Sequence, residues 1–406
     1  MFIEYSEEQN MLRDSAERYL RDNYSFDSRQ AAVKQARGYD ADQWQTFAEL
    51  GWLAMTFKEE SDGFGGGALE TMILCEQFGK FLVLEPYLES VVLVGGLIEA
   101  GAQPAIKEPY LSGLIAGELQ GAFAYLEEGG VADPTYVQAT AESSVDGFLL
   151  NGKKTVVLNG PEADCFVISA RTGPAADESG SSEGISLFFV SKDAPGLSLT
   201  NYKTYDGRSA SELQLENVAV TAQALVGELN NGFAIATPVF SRATVAVCAE
   251  AVGAMDALLT ATVDYTKQRK QFGQSISGFQ VLRHRMVDMF MEIELTRSLL
   301  MATAWKLDNN AADAEQCVAA LKAKVGKAGR YVSHNAVQLH GGIGTTDEFS
   351  VGHYFKRLAV IGVMFGSRDS HLSRYAQLSS QLSSQLSSQL SSQLSSQLSS
   401  QLSSHS

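Results

Sequence analysis

Hydrophobic residues first recur at helical spacing: Leu12, Ala16, Tyr19 and Leu20 form one stripe, preceded by Ser6 and Gln9 in a capping-box arrangement. A second helix is expected from Asp42 to Leu50, ending at Gly51. Gly63, Gly65, Gly66 and Gly67 then mark a tight turn before a helix from Ala68 to Phe78, with Gly79 expected to close it. From Gly121 the period changes to alternation. Phe148 to Leu150, Thr155 to Leu158, Phe166 to Ile168, Ile185 to Val190 and Leu197 to Leu199 read as short strands. Turn residues at Asn151-Gly152, Asn159-Gly160, Pro195-Gly196 and Asp206-Gly207 separate them and predict a small antiparallel barrel or sandwich. The Gly/Ser/Glu-rich tract from Thr172 to Gly184 reads as an exposed loop. Helical spacing returns at Asn231 and holds to about Tyr375, interrupted near Gly273 and Gly341. The expected class is α+β and mostly helical: residues 1–119 helical, 120–230 a β domain, 231–376 helical, and 377–406 a tail. That tail repeats Gln-Leu-Ser-Ser seven times. A Leu every fourth residue drifts around a helix of about 3.6 residues per turn, and Ser lowers helix propensity, so disorder is expected.

Charge and composition narrow the partners. A net charge of −16 argues against nucleic acid or an anionic membrane. An anionic ligand must then be met by local Arg or Lys. Cys75, Cys165, Cys248 and Cys317 are scattered in apolar surroundings without zinc spacing, which suits a reducing compartment. The first ten residues, MFIEYSEEQN, lack the apolar stretch of a secretory signal, and no apolar run reaches membrane-span length. A cytoplasmic location is expected.

The candidate chemistry gathers around Tyr265 to Gln280. A helical run from Ala251 to Lys267 meets a basic knot, Lys267-Gln268-Arg269-Lys270, then Phe272, Gly273, a polar loop and a new helix at Phe279-Gln280. A guanidinium for a phosphate oxygen, an aromatic ring for stacking and a carboxamide for a polar edge suit a flat, phosphate-bearing ligand; a solvated basic turn is the competing reading. Downstream lies Val337-Gln338-Leu339-His340-Gly341-Gly342-Ile343-Gly344. Gly63-x-Gly65-x-x-Ala68 comes near a dinucleotide fingerprint, but Lys58 to Asp62 stand where that motif needs the end of a strand.

Together the two C-terminal segments resemble the flavin-adenine clamp of the acyl-CoA dehydrogenase family, and the likeness extends over roughly residues 5–375. The resemblance implies an N-terminal helical domain, a central β-barrel domain and a C-terminal four-helix bundle, with FAD between the last two. It implies that Arg269, Phe272 and Gln280, with Gln338, Gly341 and Gly342, hold the adenosine half of a neighbouring subunit's FAD. Absent side chains at the two glycines let backbone approach the phosphates. In the family a Glu removes the α-proton of an acyl-CoA thioester while the flavin takes the β-hydride.

The sequence departs from that pattern on the flavin side. The family's T-E-P-G-A-G-S-D reads Leu126-Glu127-Glu128-Gly129-Gly130-Val131-Ala132-Asp133, and its W-I-T-N-G reads Val156-Val157-Leu158-Asn159-Gly160. Where most members place the catalytic Glu, in Y-E-G-T, this chain has Met364-Phe365-Gly366-Ser367. The alternative position, on the helix before the knot, reads Ser241-Arg242-Ala243-Thr244. Glu250, an acid in an apolar run, is a weak candidate for the base, and a salt bridge is the competing role. Asp369 and His371 read as surface groups near a helix end. What is kept and what is lost is similar to the small subunits of heteromeric, pimeloyl-CoA-type bacterial acyl-CoA dehydrogenases. Gly352-His353-Tyr354-Phe355-Lys356-Arg357 also fits. The implied partners are an acyl-CoA, a homologous large subunit in a heterotetramer (or a second copy), and an electron-transfer flavoprotein as acceptor. A flavin monooxygenase of the same fold and a non-catalytic structural subunit are the alternatives.

Overall fold

The computed structural model describes residues 4–130, 133–173, 182–381 and 383–384. Ala132, and most of the stretch from Thr172 to Gly184 expected to be an exposed loop, lie outside the described residues.

The first part is helical: α1 (Glu7–Asn23), α2 (Phe26–Val33), α3 (Ala41–Glu49), α4 (Ala68–Phe81), a π-helical segment (Tyr87–Gly95), α5 (Gly96–Gly101) and α6 (Pro104–Ile115). Ser6 caps α1 through the Gln9 amide, and the Gln9 side chain returns to the Ser6 N–H. Gly51 adopts φ +75° beyond α3, in a conformation that suits a residue without Cβ. Gly79 does not close α4, which runs on to Phe81 and ends at a left-handed Leu82. Its role is contact: a Cβ there would lie 1.9 Å from the Glu250 carbonyl oxygen, and one on Gly253 1.8 Å from that of Glu76. The two glycines let α4 cross the long C-terminal helix with backbones touching. The glycine-rich turn also receives a definite role. Asp308 caps the start of α4, its carboxylate accepting from the amides of Ala68 at 2.6 Å and Leu69 at 3.0 Å. The helix N-terminus that a phosphate would need is thus filled by a carboxylate.

The middle is β1 (Gly121–Ala124), β2 (Thr140–Ser144), β3 (Gly147–Leu158), β4 (Cys165–Arg171), β5 (Ile185–Ser191), β6 (Leu197–Lys203), β7 (Ser209–Thr221) and β8 (Leu225–Val226). They form one sheet in the order β6-β7-β3-β2-β4-β5-β8, with β1 parallel to β4 off that path. β2 also meets β4 in parallel, at Thr140 and Arg171. These two parallel pairings depart from the all-antiparallel expectation, since alternation fixes faces and not strand direction. The alternation itself places Phe123, Val167 and Leu187 against the helices, and Ala122, Phe166, Ile168 and Phe188 in a second core on the other face.

The last part is α7 (Phe233–Gln268), a two-stranded hairpin β9 (Lys270–Gln271) and β10 (Gln274–Ser275), α8 (Gln280–Asp308), α9 (Ala314–His340) and α10 (Ser350–Ile361). α7 to α10 pack as a bundle, with α4 against α7 and α8, so that both helical parts share one core. α7 is long and apolar enough to cross a membrane, contrary to the expectation that no run is; 83% of its most apolar stretch is buried inside the protein. The tail departs from expectation too. Residues 368–381 are helical, and the Gln316 amide donates to Ser379 Oγ at 2.7 Å. The first Gln-Leu-Ser-Ser unit is therefore ordered against α9. Residues 382 and 385–406 lie outside the described residues.

Candidate functional site

Two regions hold the functional candidates, at opposite ends of the bundle. The first is the corner where α7, the hairpin, α8 and α9 meet. The rings of Tyr265 and His340 stack there at 4.5 Å and 25°, which joins the two segments that are far apart in sequence. Arg269 ends α7, its amide closing on the Tyr265 carbonyl at 2.8 Å. Phe272 and Gly273 form the hairpin tip with φ +52° and +81°, the left-handed pair that a two-residue turn requires. The turn pushes the Phe272 ring into solvent, 91% exposed, edge-on to Phe279 at 6.2 Å. Gln280 opens α8. Gln338, Gly341 and Gly342 lie at the end of α9, and all are exposed. Space is open where Cβ atoms would stand on Gly341 and Gly342. Lys267 is paired with Asp264 at 3.7 Å, whereas no carboxylate pairs with Arg269 among the described residues. The corner therefore presents a free guanidinium, two carboxamides, a ring and bare backbone on one surface, a set suited to a nucleotide diphosphate.

The second region lies where the sheet meets the bundle. Phe365 adopts φ +55° and separates two cavities, of about 300 and 270 Å³, which share Tyr125 and Phe365 in their walls. The larger is mixed in character, with Ser241, Thr244, His371 and Arg374 among its lining. The smaller is mostly apolar, with Leu126, Val156, Leu158 and Met364. The bend at Phe365 is pinned from behind. His371 Nε2 donates to the Phe365 carbonyl at 2.8 Å, and the buried Lys322 Nζ donates to the Gly366 carbonyl at 2.8 Å. His371 is thus a buried group and not the surface residue expected; burial pushes its pKa down to about 4. Asp369 is exposed.

The flavin-side segments have structural work of their own. Glu127 accepts from the buried Lys154 at 2.6 Å and from the amides of Gln138 and Ala139, fixing the loop after β1. Asn159, left-handed at φ +61°, donates its carboxamide to Gln120 at 3.2 Å and to Ser90 Oγ at 3.4 Å, and the second bond ties the end of β3 to the N-terminal part.

Glu250 is buried in an ionic knot that joins all three parts of the chain. Arg357 of α10 grips it with Nε to Oε1 and Nη2 to Oε2, both 2.6 Å, and gives Nη1 to Asp206 at 2.8 Å. Arg208 adds a bond of 3.0 Å to Glu250. Burial alone would raise the Glu250 carboxyl, but the two guanidiniums prevail and hold it below the usual carboxylate range; Asp206 is likewise held at about 2. A carboxylate so engaged is a poor proton acceptor. Sequence reading missed Glu89, a buried acid at the edge of this knot. Its signal was the same as that of Glu250: an acid inside an apolar run, Tyr87 to Val94.

Comparison with known proteins adds an independent finding. The sequence matches the description "Acyl-CoA dehydrogenase, N-terminal domain" over residues 6–118, the middle domain over 122–218 and the C-terminal domain over 230–378. A relative, a probable acyl-CoA dehydrogenase, YngJ, of Bacillus subtilis, is 29% identical over 86% of this chain and 92% of its own. In the crystal structure of the ChsE4–ChsE5 complex from Mycobacterium tuberculosis, a chain superposes with TM-score 0.84 at 25% identity, covering 93% of this chain and 98% of that one. The FAD complex of PigA gives TM-score 0.86 at 26% identity, with 93% and 98% covered.

Proposed function

The chain belongs to the acyl-CoA dehydrogenase family, FAD-dependent oxidoreductases acting on the CH–CH bond of acyl-CoA thioesters, and from that premise we propose that it is the adenosine-clamping subunit of a heteromeric member. In this reading Arg269, Phe272, Gln280, Gln338, Gly341 and Gly342 hold the adenosine diphosphate end of an FAD whose flavin ring belongs to a homologous catalytic subunit. When bound, that FAD supplies the hydride acceptor.

One observation carries the reading. Val318, beside the Phe365 cavities, and Gln338, at the clamp, lie on the same helix. At about 1.5 Å rise per residue they are roughly 30 Å apart. A clamp so far from its own chain's cavity serves a cofactor of another subunit. The residues fit that division. The exposed corner suits a diphosphate and an adenine, while Leu126, Val156 and Leu158 give an isoalloxazine no hydrogen bond from their side chains, and Phe365 cannot accept a proton. No step of the desaturation is therefore assigned to residues of this chain.

A surface for the partner adjoins the clamp. α8 buries Met286, Met289, Ile293 and Leu300 in the core, yet exposes Val281, Val287, Met291 and Leu295 to solvent on another side. A helix apolar on both sides is one that is covered on both sides. The ChsE4–ChsE5 neighbour is a complex of two chains by its description, which supports a heteromeric arrangement. An electron-transfer flavoprotein as acceptor and an acyl-CoA as substrate of the assembly complete the proposal.

The test is purification with and without the large-subunit partner, followed by the flavin absorbance ratio. The expected result is little flavin and little turnover for the chain alone. A homo-oligomer with one FAD per chain and full dehydrogenase turnover would overturn the proposal.

A further inference from the structure

The smaller cavity beside Phe365 is mostly apolar; Tyr125 and Thr204 bring hydroxyls to its wall, and one carboxyl, that of Glu89, stands there as well. Leu88, Leu93, Leu126, Leu158 and Met364 contribute to its wall, and so does Glu89. Glu89 is 3% exposed, and its Oε2 has no hydrogen-bond partner among the described residues. Its other oxygen faces Arg208 Nη1 at 3.9 Å, beyond hydrogen-bond reach.

The neighbouring guanidiniums are already committed. Arg357 serves Glu250 and Asp206, and Arg208 Nη2 donates to the Val83 carbonyl at 2.8 Å and to Glu250 at 3.0 Å. The knot thus holds the carboxyls of Glu89, Glu250 and Asp206 against the guanidiniums of Arg357 and Arg208. Glu89 is the member left over. Burial raises its pKa against the pull of Arg208 and Arg357. In either protonation state an oxygen lone pair beside the cavity lacks a donor, and buried polar atoms in folded proteins have one.

We propose that this cavity binds a small apolar molecule ending in a hydrogen-bond donor, a hydroxyl or an ammonium, and that Glu89 reads the donor end. The site rests on the half-site reading above, because a flavin ring held by this chain would lie against the same wall. The volume sets the size. An apolar cavity of about 150 Å³ accepts benzene, so 270 Å³ suits roughly ten to twelve heavy atoms. An apolar body contributes by leaving water, and the donor head removes the cost of an unpaired acceptor. A carboxylate head on the same body meets an ionised Glu89 as an acceptor facing an acceptor, and leaves the second oxygen of a protonated Glu89 still without a donor, so it binds more weakly than either donor head.

The experiment uses the full-length chain, purified without flavin, and three probes with one body: 4-phenyl-1-butanol, 4-phenylbutylamine and 4-phenylbutyrate. Isothermal titration should show the alcohol or the amine binding at least about tenfold more tightly than the acid. A stronger amine means an ionised Glu89, and a stronger alcohol a protonated one. Glu89→Leu should erase the preference between heads. Leu158→Trp, which fills the cavity from another part of its wall and leaves the knot intact, should abolish binding of all three at an unchanged melting temperature; it serves as the variant to read where Glu89→Leu does not fold. Equal binding of the three probes, binding of none, or a preference that survives Glu89→Leu overturns the proposal. The same preparation is incubated with FAD and its absorbance ratio measured. Uptake of one FAD per chain, with the Glu89-dependent preference still present before FAD is added, overturns the half-site reading and leaves the donor-reading site standing.

Discussion

Arg357 and Glu250 meet in a fully buried fork, two parallel bonds of 2.6 Å between α10 and α7. The geometry satisfies the planar guanidinium on one edge while Asp206 takes Nη1 from the sheet side. Such a pair contributes little beyond an apolar isostere, but breaking it strands a charge in the interior. Its position at the meeting of sheet and bundle makes it a determinant of how the parts sit together.

Glu250→Gln and Arg357→Met should therefore each cost about 3–5 kcal/mol, read as a lower denaturant midpoint. The double variant should cost less than the sum of the two, because it removes both charges at once. Glu250→Gln in the assembled complex should leave turnover per folded protein unchanged. A loss of turnover by orders of magnitude without loss of stability would return Glu250 to the role of base.

His371 gives a pH dependence of defined sign. Its folded pKa, about 4, lies below the ordinary imidazole value of 6.5. Between those values the unfolded chain binds a proton that the native state refuses, so this residue's contribution is present above about pH 6.5 and lost as pH falls toward 4. Glu85 works the other way: burial raises it to about 7, so its protonated form favours the fold, and that contribution is lost as pH rises toward 7. The two overlap, and only a difference separates them. Wild type minus His371→Gln stability should shrink by about 2 kcal/mol from pH 6.5 to 4.5. A difference independent of pH would show that His371 titrates normally.

The periodicity of the chain carried the fold class, because burial on one face writes itself as alternation or as helical spacing. The departures lie where two distant segments meet. Gly79 reads as a helix end until α7 is seen against it, and the parallel pairing of β1 with β4 leaves no trace in either strand's pattern. His371 reads as a surface group because its partners, the Phe365 carbonyl and the apolar wall, come from backbone geometry. The residue types around Arg269 suggested a phosphate-bearing ligand and the resemblance supplied the proposed clamp; the stacking of Tyr265 on His340 gives the physical reason their segments form one corner.

The first repeat of the tail should now matter slightly. Truncation after Ala376 removes Ser379 and its bond from Gln316, part-buried at 2.7 Å. The expected cost is about 0.5–1.5 kcal/mol, a fall in melting temperature of a few degrees at most. Truncation after Ser384 keeps that contact, and a scanning calorimetry comparison of the two shortened proteins measures it.

The exposed side of α8 should govern assembly. Met291→Arg with Leu295→Arg places two cations on a surface that otherwise offers Val281 and Val287. Light scattering should show separation from the partner subunit with the chain's own melting temperature unchanged, since neither residue is in the core. Flavin should leave the assembly at the same time, because the clamp adjoins this surface. Assembly that survives both substitutions would move the interface elsewhere.

Arg269 supplies the sharpest test of the clamp. It stands exposed at the end of α7 with no carboxylate partner among the described residues, so its replacement breaks no ion pair there, and the fold should be indifferent. A charge-assisted bond to a phosphate oxygen contributes about 1.5–3 kcal/mol. Arg269→Ala should accordingly weaken FAD binding by the assembled complex roughly ten- to a hundred-fold. Arg269→Lys should restore part of this, because an ammonium keeps the charge but loses the fork. Phe365→Ala, beside the cavity that Val318 lines about 30 Å along α9 from Gln338, should barely change retention. Equilibrium dialysis of FAD against each complex gives the comparison. Wild-type affinity in Arg269→Ala would reduce the corner to a solvated turn, and a larger loss from Phe365→Ala would place the cofactor within this chain after all.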